Sequence, residues 1–219
     1  MSHTFPRPLS RRRIFGALVI GLAPVWTGAA AAPRRPRVVT LLGDSITAGY
    51  GLSSRASLPA QLEAELAAAG AARVRVRGAG VSGDTTADGL ARVDFSVQKD
   101  TDVCVVALGG NDLLQGRDVG RIRANLDKIV KRLKARGVTV VLAGLEAPPV
   151  IGRNYARDFD AIFPAVAKAN GVLLARNLLE GVALDSRYNQ RDGIHPNAAG
   201  VRIVARRLAP VVAKALAAR

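Results

Sequence analysis

The sequence predicts an α/β fold: a three-layer α/β/α sandwich on a five-stranded parallel sheet. Three observations carry this. Apolar β-type runs alternate with stretches of helical period along the chain, the pattern of strand–helix–strand crossovers. Several of the strands read as continuous apolar runs, as strands covered on both faces do. After residue 32 no repeat, linker or change of composition divides the chain, so residues 33–219 read as a single domain, long enough to bury a full core.

The elements follow in order. RVVTLLGD (37–44) is a β-branched run that ends on Gly-Asp. LPAQLEAELAAAG (58–70) places Leu58, Leu62 and Leu66 on one helical face and stops at a glycine. RVRVRGAG (73–80) alternates as a strand, and TTADGLARV (85–93) is a helix with Thr86 or Asp84 as its cap. DVCVVALGG (102–110) is a buried strand. It holds Cys104, the sole cysteine, which reads as an inert buried thiol and allows no internal disulfide. Residues 119–137 form an amphipathic helix with Ile122, Leu126, Ile129, Val130 and Leu133 on one face. VTVVLAGLE (138–146) is a strand, and residues 155–171 a helix with Phe159, Ile162, Phe163 and Val166 inward. VLLAR (172–176) is a short strand, and residues 197–216 the closing helix. In such folds ligands bind at the carboxyl ends of the strands. The first three strands end in GDS, GAGVSGD and GGND, glycine-rich loops whose backbone N–H groups can approach a ligand closely.

Residues 1–32 read as an export signal, with a basic start, an apolar stretch over 14–26 and a small-residue end at Ala30-x-Ala32. The apolar stretch is too short, and too broken by Pro24, to span a membrane. Arg12-Arg13-Ile14-Phe15 resembles a twin-arginine signal, and an ordinary Sec signal is the alternative. The expected address is periplasmic or secreted. Removing the segment takes four arginines and no acid, so the formal charge falls from +15 to +11. Export argues against nucleic acid as the partner. An anionic lipid or envelope surface is one reading of the charge; a basic surface with no partner is the other.

Residues 33–219 contain one histidine, His195, in RDGIHPNAAG, so no His-cluster metal site and no zinc pattern is available. One histidine is sufficient for a general base, and Asp192, three residues earlier, is in reach to orient it. The alternative is a helix-capping turn with an incidental histidine. Ser45 reads either as a nucleophile on a strand-to-helix turn or as an N-cap. Asn111, in GGND, reads as an amide donor to an oxyanion or as part of a polar turn. GAGVSG (78–83) matches the Gly-x-Gly-x-x-Gly of dinucleotide sites. It follows the second strand, however, and Asp100 and Asp102 precede the next strand instead of ending it. GDSITAGYG lacks the Gly-Lys-Ser/Thr ending of a P-loop.

Taken together and in this order, GDSITAGYG, GAGVSGDTT, GGND and DGIHPNAAG resemble the SGNH hydrolases, the GDSL-type esterase/lipase superfamily. Within it the likeness is to the bacterial arylesterase / multifunctional thioesterase–lysophospholipase branch, and it runs from Val38 to the last helix. The resemblance implies a flavodoxin-like sheet and no metal or organic cofactor. It implies Ser45 as nucleophile, His195 as base and Asp192 as its orienting acid. It implies an oxyanion hole of the Ser45 and Gly83 backbone N–H groups and the Asn111 amide. Two positions depart from the pattern: Gly78 stands where an Asn often opens the second block, and Val150 where an Asn often follows the two prolines. The second departure lies in the loop expected to border the acyl pocket.

The expected function is that of an exported serine esterase acting on aryl esters, short- or medium-chain acyl esters or thioesters, and lysophospholipids. The alternatives are a carbohydrate or peptidoglycan O-acetylesterase using the same three residues and, on GAGVSG, a nucleotide-cofactor redox protein.

Overall fold

The computed structural model of the protein describes residues 1–3, 35–71 and 73–218. The chain divides into two units, Met1–Arg34 and Arg35–Arg219. Beyond residues 1–3, the export segment read over 1–32 lies outside the described residues.

Five strands form the sheet of the second unit: β1 (Arg37–Gly43), β2 (Val74–Gly80), β3 (Val103–Ala107), β4 (Thr139–Ala143) and β5 (Leu173–Ala175). All neighbours pair parallel, in the order β2-β1-β3-β4-β5. This is the flavodoxin-like order, which reverses direction at β1/β3 and opens a crevice there. The helices are α1 (Ser45–Ala48), α2 (Leu58–Ala68), α3 (Thr86–Ser96), α4 (Gly110–Leu114), α5 (Val119–Ala135), α6 (Arg153–Asp160), α7 (Ile162–Asn170) and α8 (Ala198–Ala217). Among the described residues no helix is long and apolar enough to cross a membrane.

Successive side chains of a strand point to opposite faces, and here each set meets its own helical layer. Val39, Leu41, Val103 and Val105 pack with Leu62 of α2 and Val204 of α8. Leu42, Cys104 and Val106 pack with Leu126 of α5 and Phe159 and Phe163 of α6 and α7. Each such leucine removed from water stabilises the fold by about 1.5–3 kcal/mol. Cys104 is fully buried, and burial pushes its thiol up to about 12, far from thiolate reactivity.

The structure corrects the elements in four places. The helix expected over 155–171 is two, α6 and α7, broken at Ala161. Pro164 is the cause: it has no N–H for the Asp160 carbonyl, and its ring crowds that group. At the break, the Asp160 side chain accepts a bond from the Ala147 N–H at 2.7 Å. α3 is capped by Thr85, not by Thr86 or Asp84. The Thr85 side chain accepts from the Asp88 N–H and the Asp88 side chain accepts from the Thr85 N–H, a capping box. β3 ends at Ala107, and GGND opens the short helix α4 where the sequence reading had a strand end. β4 likewise stops at Ala143, short of the 146 expected.

Register sets up the site. Gly43, the last residue of β1, pairs with Gly80 of β2 and with Ala107 of β3. The segments that leave these three strands therefore emerge side by side. Gly80 has no alternative: a Cβ there would stand 2.4 Å from the Ala48 nitrogen and 2.6 Å from the Asp44 carbonyl oxygen.

Candidate active site

Ser45 is the first residue of α1, and the cap is its neighbour: Asp44 Oδ1 accepts the Ile46 N–H at 3.0 Å. The Ser45 N–H is thus one of the helix-start donors with no intrahelical acceptor. The Ser45 side chain is buried, and its Oγ lies 2.9 Å from His195 Nε2. On the other side of the ring, His195 Nδ1 lies 2.6 Å from Asp192 Oδ2. With Nδ1–H donating to the carboxylate, Nε2 is left as the acceptor for the serine hydroxyl.

Asp192 is itself held. Its Oδ1 accepts the backbone N–H groups of Ile194 at 2.9 Å and His195 at 3.0 Å. These two bonds, the His195 one first, together with the His195 side chain, pull its carboxyl down to about 2. It therefore stays ionised through mild acid and can hold one imidazole tautomer. The loop around it is closed by Gln190 N–H to His195 O and Asn197 N–H to Tyr188 O, each 2.8 Å. The cap of α8 is Asn197, whose Oδ1 accepts the Ala199 and Gly200 N–H groups. Capping thus falls to Asp44 and Asn197, and it does not explain Ser45 or His195. The Tyr50 ring lies 4.6 Å from the His195 ring, centroid to centroid.

Asn111 sits in the first turn of α4, and its amide donates to the carbonyl of Asp84 at 2.9 Å. That bond ties it to the residue after Gly83 and leaves a second amide N–H. Gly83 is exposed, in the turn after β2, at φ +90°. Its N–H donates to no acceptor among the described residues. The sequence reading missed what holds these donors. Arg92 of α3 donates to Asp84 Oδ2 (2.5 Å), the Ala79 carbonyl (2.9 Å) and the Gly43 carbonyl (2.8 Å), joining the ends of β1 and β2. Asp112 is buried and accepts the Thr86 N–H and hydroxyl, each at 2.7 Å, fixing α4 against α3. No local pattern marks either residue, because Arg92 reaches as far as Gly43, 49 residues away, and Asp112 reaches Thr86, 26 residues away.

The start of α3 also tells against a pyrophosphate on GAGVSG. Its N–H groups at Thr85 and Thr86 are taken by the carboxylates of Asp88 and Asp112, which occupy the place where a phosphate would bind and would repel it.

Ser45, Asn111 and His195 all line one cavity of about 380 Å³. Its apolar wall includes Leu113 after β3, Leu145, Ala147 and Pro148 after β4, and Leu178 and Leu179 after β5. The loop singled out by its two prolines does border this cavity. The residues after β5 do as well, and the sequence reading had not placed them there. Leu184 lines it too. It is 73% exposed and holds φ +63°, an unfavourable backbone state for a leucine. Gly83 is not part of this wall.

Asp44 carries a testable consequence. It is buried, and burial pushes its carboxyl up to about 6 from the ordinary 3.8, against the pull of the Ile46 N–H. The folded chain binds this proton more tightly than the unfolded chain. The group's contribution is therefore most favourable below pH 4 and is lost as pH rises toward 6. Asn caps as well as Asp. Asp44→Asn is expected to raise the melting temperature at pH 8, by up to about 3 kcal/mol in stability, and to leave it unchanged at pH 3.5. Equal melting of the two proteins at pH 8 would contradict this.

Residues 41–203 match the GDSL-like lipase/acylhydrolase family. The chain is 37% identical over 161 residues to the esterase TesA of Pseudomonas aeruginosa, covering 73% of this chain and 80% of that protein. It is 37% identical over 158 residues to thioesterase 1/protease 1/lysophospholipase L1 of Escherichia coli K12, covering 72% and 74%. Among solved structures, AlinE4, an SGNH-hydrolase family esterase, superposes with a TM-score of 0.70 at 41% identity, over 84% of this chain and 99% of that one.

Proposed function

The chain belongs to the GDSL-like lipase/acylhydrolase family and is a carboxylic ester hydrolase, and on that premise we propose that it is an exported serine esterase working through an acyl-enzyme on Ser45. The observation that carries the reading is the chain of hydrogen bonds Ser45–His195–Asp192, opening on an apolar cavity.

In the proposed reaction, His195 Nε2 takes the Ser45 proton as Oγ bonds to the substrate carbonyl carbon. Negative charge collects on the carbonyl oxygen, toward which the Ser45 N–H, the Gly83 N–H and the free Asn111 N–H donate. The carbon–oxygen or carbon–sulfur bond then breaks, and the imidazolium gives its proton to the departing alcohol or thiol. Water attacks the acyl-serine by the same path, and the proton returns to Oγ. Asp192, ionised throughout, stabilises the imidazolium.

Asn111→Ala is expected to lower kcat by about 10²- to 10³-fold with little change in KM, because the lost bond belongs to the transition state. A raised KM at unchanged kcat, measured on an aryl ester, would contradict the assignment.

The apolar wall supports aryl esters and short- to medium-chain acyl esters or thioesters. The name of the Escherichia coli relative supports thioesters and lysophospholipids. The basic start, apolar stretch and Ala30-x-Ala32 end support export, which disfavours cytosolic acyl-CoA as substrate. A charge of +11 on residues 33–219 supports attraction to an anionic lipid or envelope surface.

Labelling with a fluorophosphonate tests the mechanism: the expected result is one covalent adduct, on Ser45, and no adduct would overturn it. A panel of aryl esters, thioesters, lysophospholipid and O-acetylated sugars tests the substrate. Fastest turnover of the O-acetyl sugars would favour carbohydrate deacetylation instead. Fractionation of cells that produce the full chain tests export.

A further inference from the structure

The Ser45–His195 bond joins two loops 150 residues apart. It is also the bond that the proposed reaction breaks. Once Oγ is acylated there is no serine hydroxyl to donate to Nε2, yet His195 must stay within one water of the acyl carbon for the second half of the reaction. The two loops therefore need a tie that survives acylation.

Gln190 provides one. Its Nε2 donates to the carbonyl of Tyr50, in the nucleophile loop, at 2.8 Å, and to the carbonyl of Pro196, beside His195, at 3.1 Å. Its backbone N–H donates to the His195 carbonyl at 2.8 Å, and its own carbonyl accepts the Gly193 N–H at 3.0 Å. Tyr50 is in turn bound to the nucleophile, its N–H donating to the Ser45 carbonyl at 3.0 Å. One amide thus spans from the residue-45 loop to the residue-195 loop through named bonds at every step. Among the described residues, the only other hydrogen bond between residues 43–51 and 188–197 is Ser45–His195 itself. The nucleophile loop makes room for this amide: a Cβ on Gly51 would stand 2.2 Å from Gln190 Oε1, and Gly51 holds φ +71°.

We infer that Gln190 is a positioning residue that keeps the His195 loop docked on the nucleophile loop through the acyl-enzyme stage, so that its loss slows deacylation more than acylation. The inference rests on the acyl-enzyme reading above. Acylation is less sensitive because the serine hydroxyl still ties the loops at that point. The Asp192–His195 bond lies within one loop, so the tautomer is kept without Gln190.

The test is stopped-flow hydrolysis of p-nitrophenyl acetate by the full-chain enzyme and by Gln190→Met, which keeps the side-chain length without its N–H groups. Gln190→Ala is made alongside in case the thioether overfills the site. Rates are expressed per Ser45 titrated with fluorophosphonate, so that any misfolded fraction drops out. The expected result is a burst of p-nitrophenol at nearly the wild-type rate, then a steady state slowed by about 10- to 10²-fold. KM falls along with kcat, leaving kcat/KM close to wild type. A role confined to stability would lower the melting temperature and leave both phases alone. Unchanged kcat, or burst and steady state slowed by the same factor, overturns the inference. A wild-type enzyme that takes no label and shows no ester turnover fails earlier, and overturns the acyl-enzyme reading instead.

Discussion

Replacing Ser45 with alanine is expected to lower kcat/KM by about 10⁴- to 10⁶-fold, the cost of removing a nucleophile from a working Ser–His–Asp arrangement. The fold should be nearly indifferent to the change. Among the described residues the Ser45 hydroxyl makes one hydrogen bond, to His195 Nε2, while the start of α1 is capped by Asp44. Losing one such bond changes stability by about 1 kcal/mol. Ester hydrolysis and thermal melting of the same preparation check both halves. Retention of more than a few per cent of the activity would remove Ser45 from the nucleophile's role. Loss of the cooperative melt would make the lost activity uninformative about chemistry, which is why the two are measured together.

The second large effect is expected of Asp192→Asn, about 10⁴-fold in kcat, and the geometry explains why an isosteric change costs so much. Oδ1 of residue 192 is committed to two backbone N–H donors, those of Ile194 and His195. An asparagine keeps both by leaving its oxygen there, and its NH₂ then takes the place of Oδ2, 2.6 Å from His195 Nδ1. A donor now faces Nδ1, so the proton moves to Nε2, and that nitrogen can no longer accept from Ser45. The loop geometry should survive, because the two backbone bonds survive. Full-rate hydrolysis by Asp192→Asn at neutral pH would rule out this account. The variant combined with Ser45→Ala should be no worse than Ser45→Ala alone, since the two residues act as a unit.

Much of this site could be read from local pattern. β1, β3 and β4 stand where β-branched runs place them, because a strand buried on both faces is apolar nearly throughout its length, and the half-exposed β2 shows instead as an alternation of valine and arginine. The helix at 119–135 follows from Ile122, Leu126, Ile129 and Leu133, all fully buried. Ser45, Asn111, Asp192 and His195 were found as short polar motifs at strand ends and before the last helix. Parallel topology puts such positions on one edge. Where reading failed, the competing force was identifiable. Pro164 divided a helix whose apolar period runs on without a break, and Thr85 took the cap of α3 through its reciprocal bond with Asp88.

The layers, the polar strand ends and the chemical types present at the site are legible in the chain alone. These follow from periods of two and 3.6 residues and from side-chain chemistry, which are properties of a few adjacent residues. Which residues meet is set by the folded chain: Nε2 of His195 reaches Ser45, Arg92 holds the ends of β1 and β2, residues after β5 wall the cavity and Gln190 ties two loops together. The hydrogen bonds among them join positions 13 to 150 residues apart. They depend on strand order, register and the path of each crossover, which local periodicity leaves open and which the packing of the whole core selects.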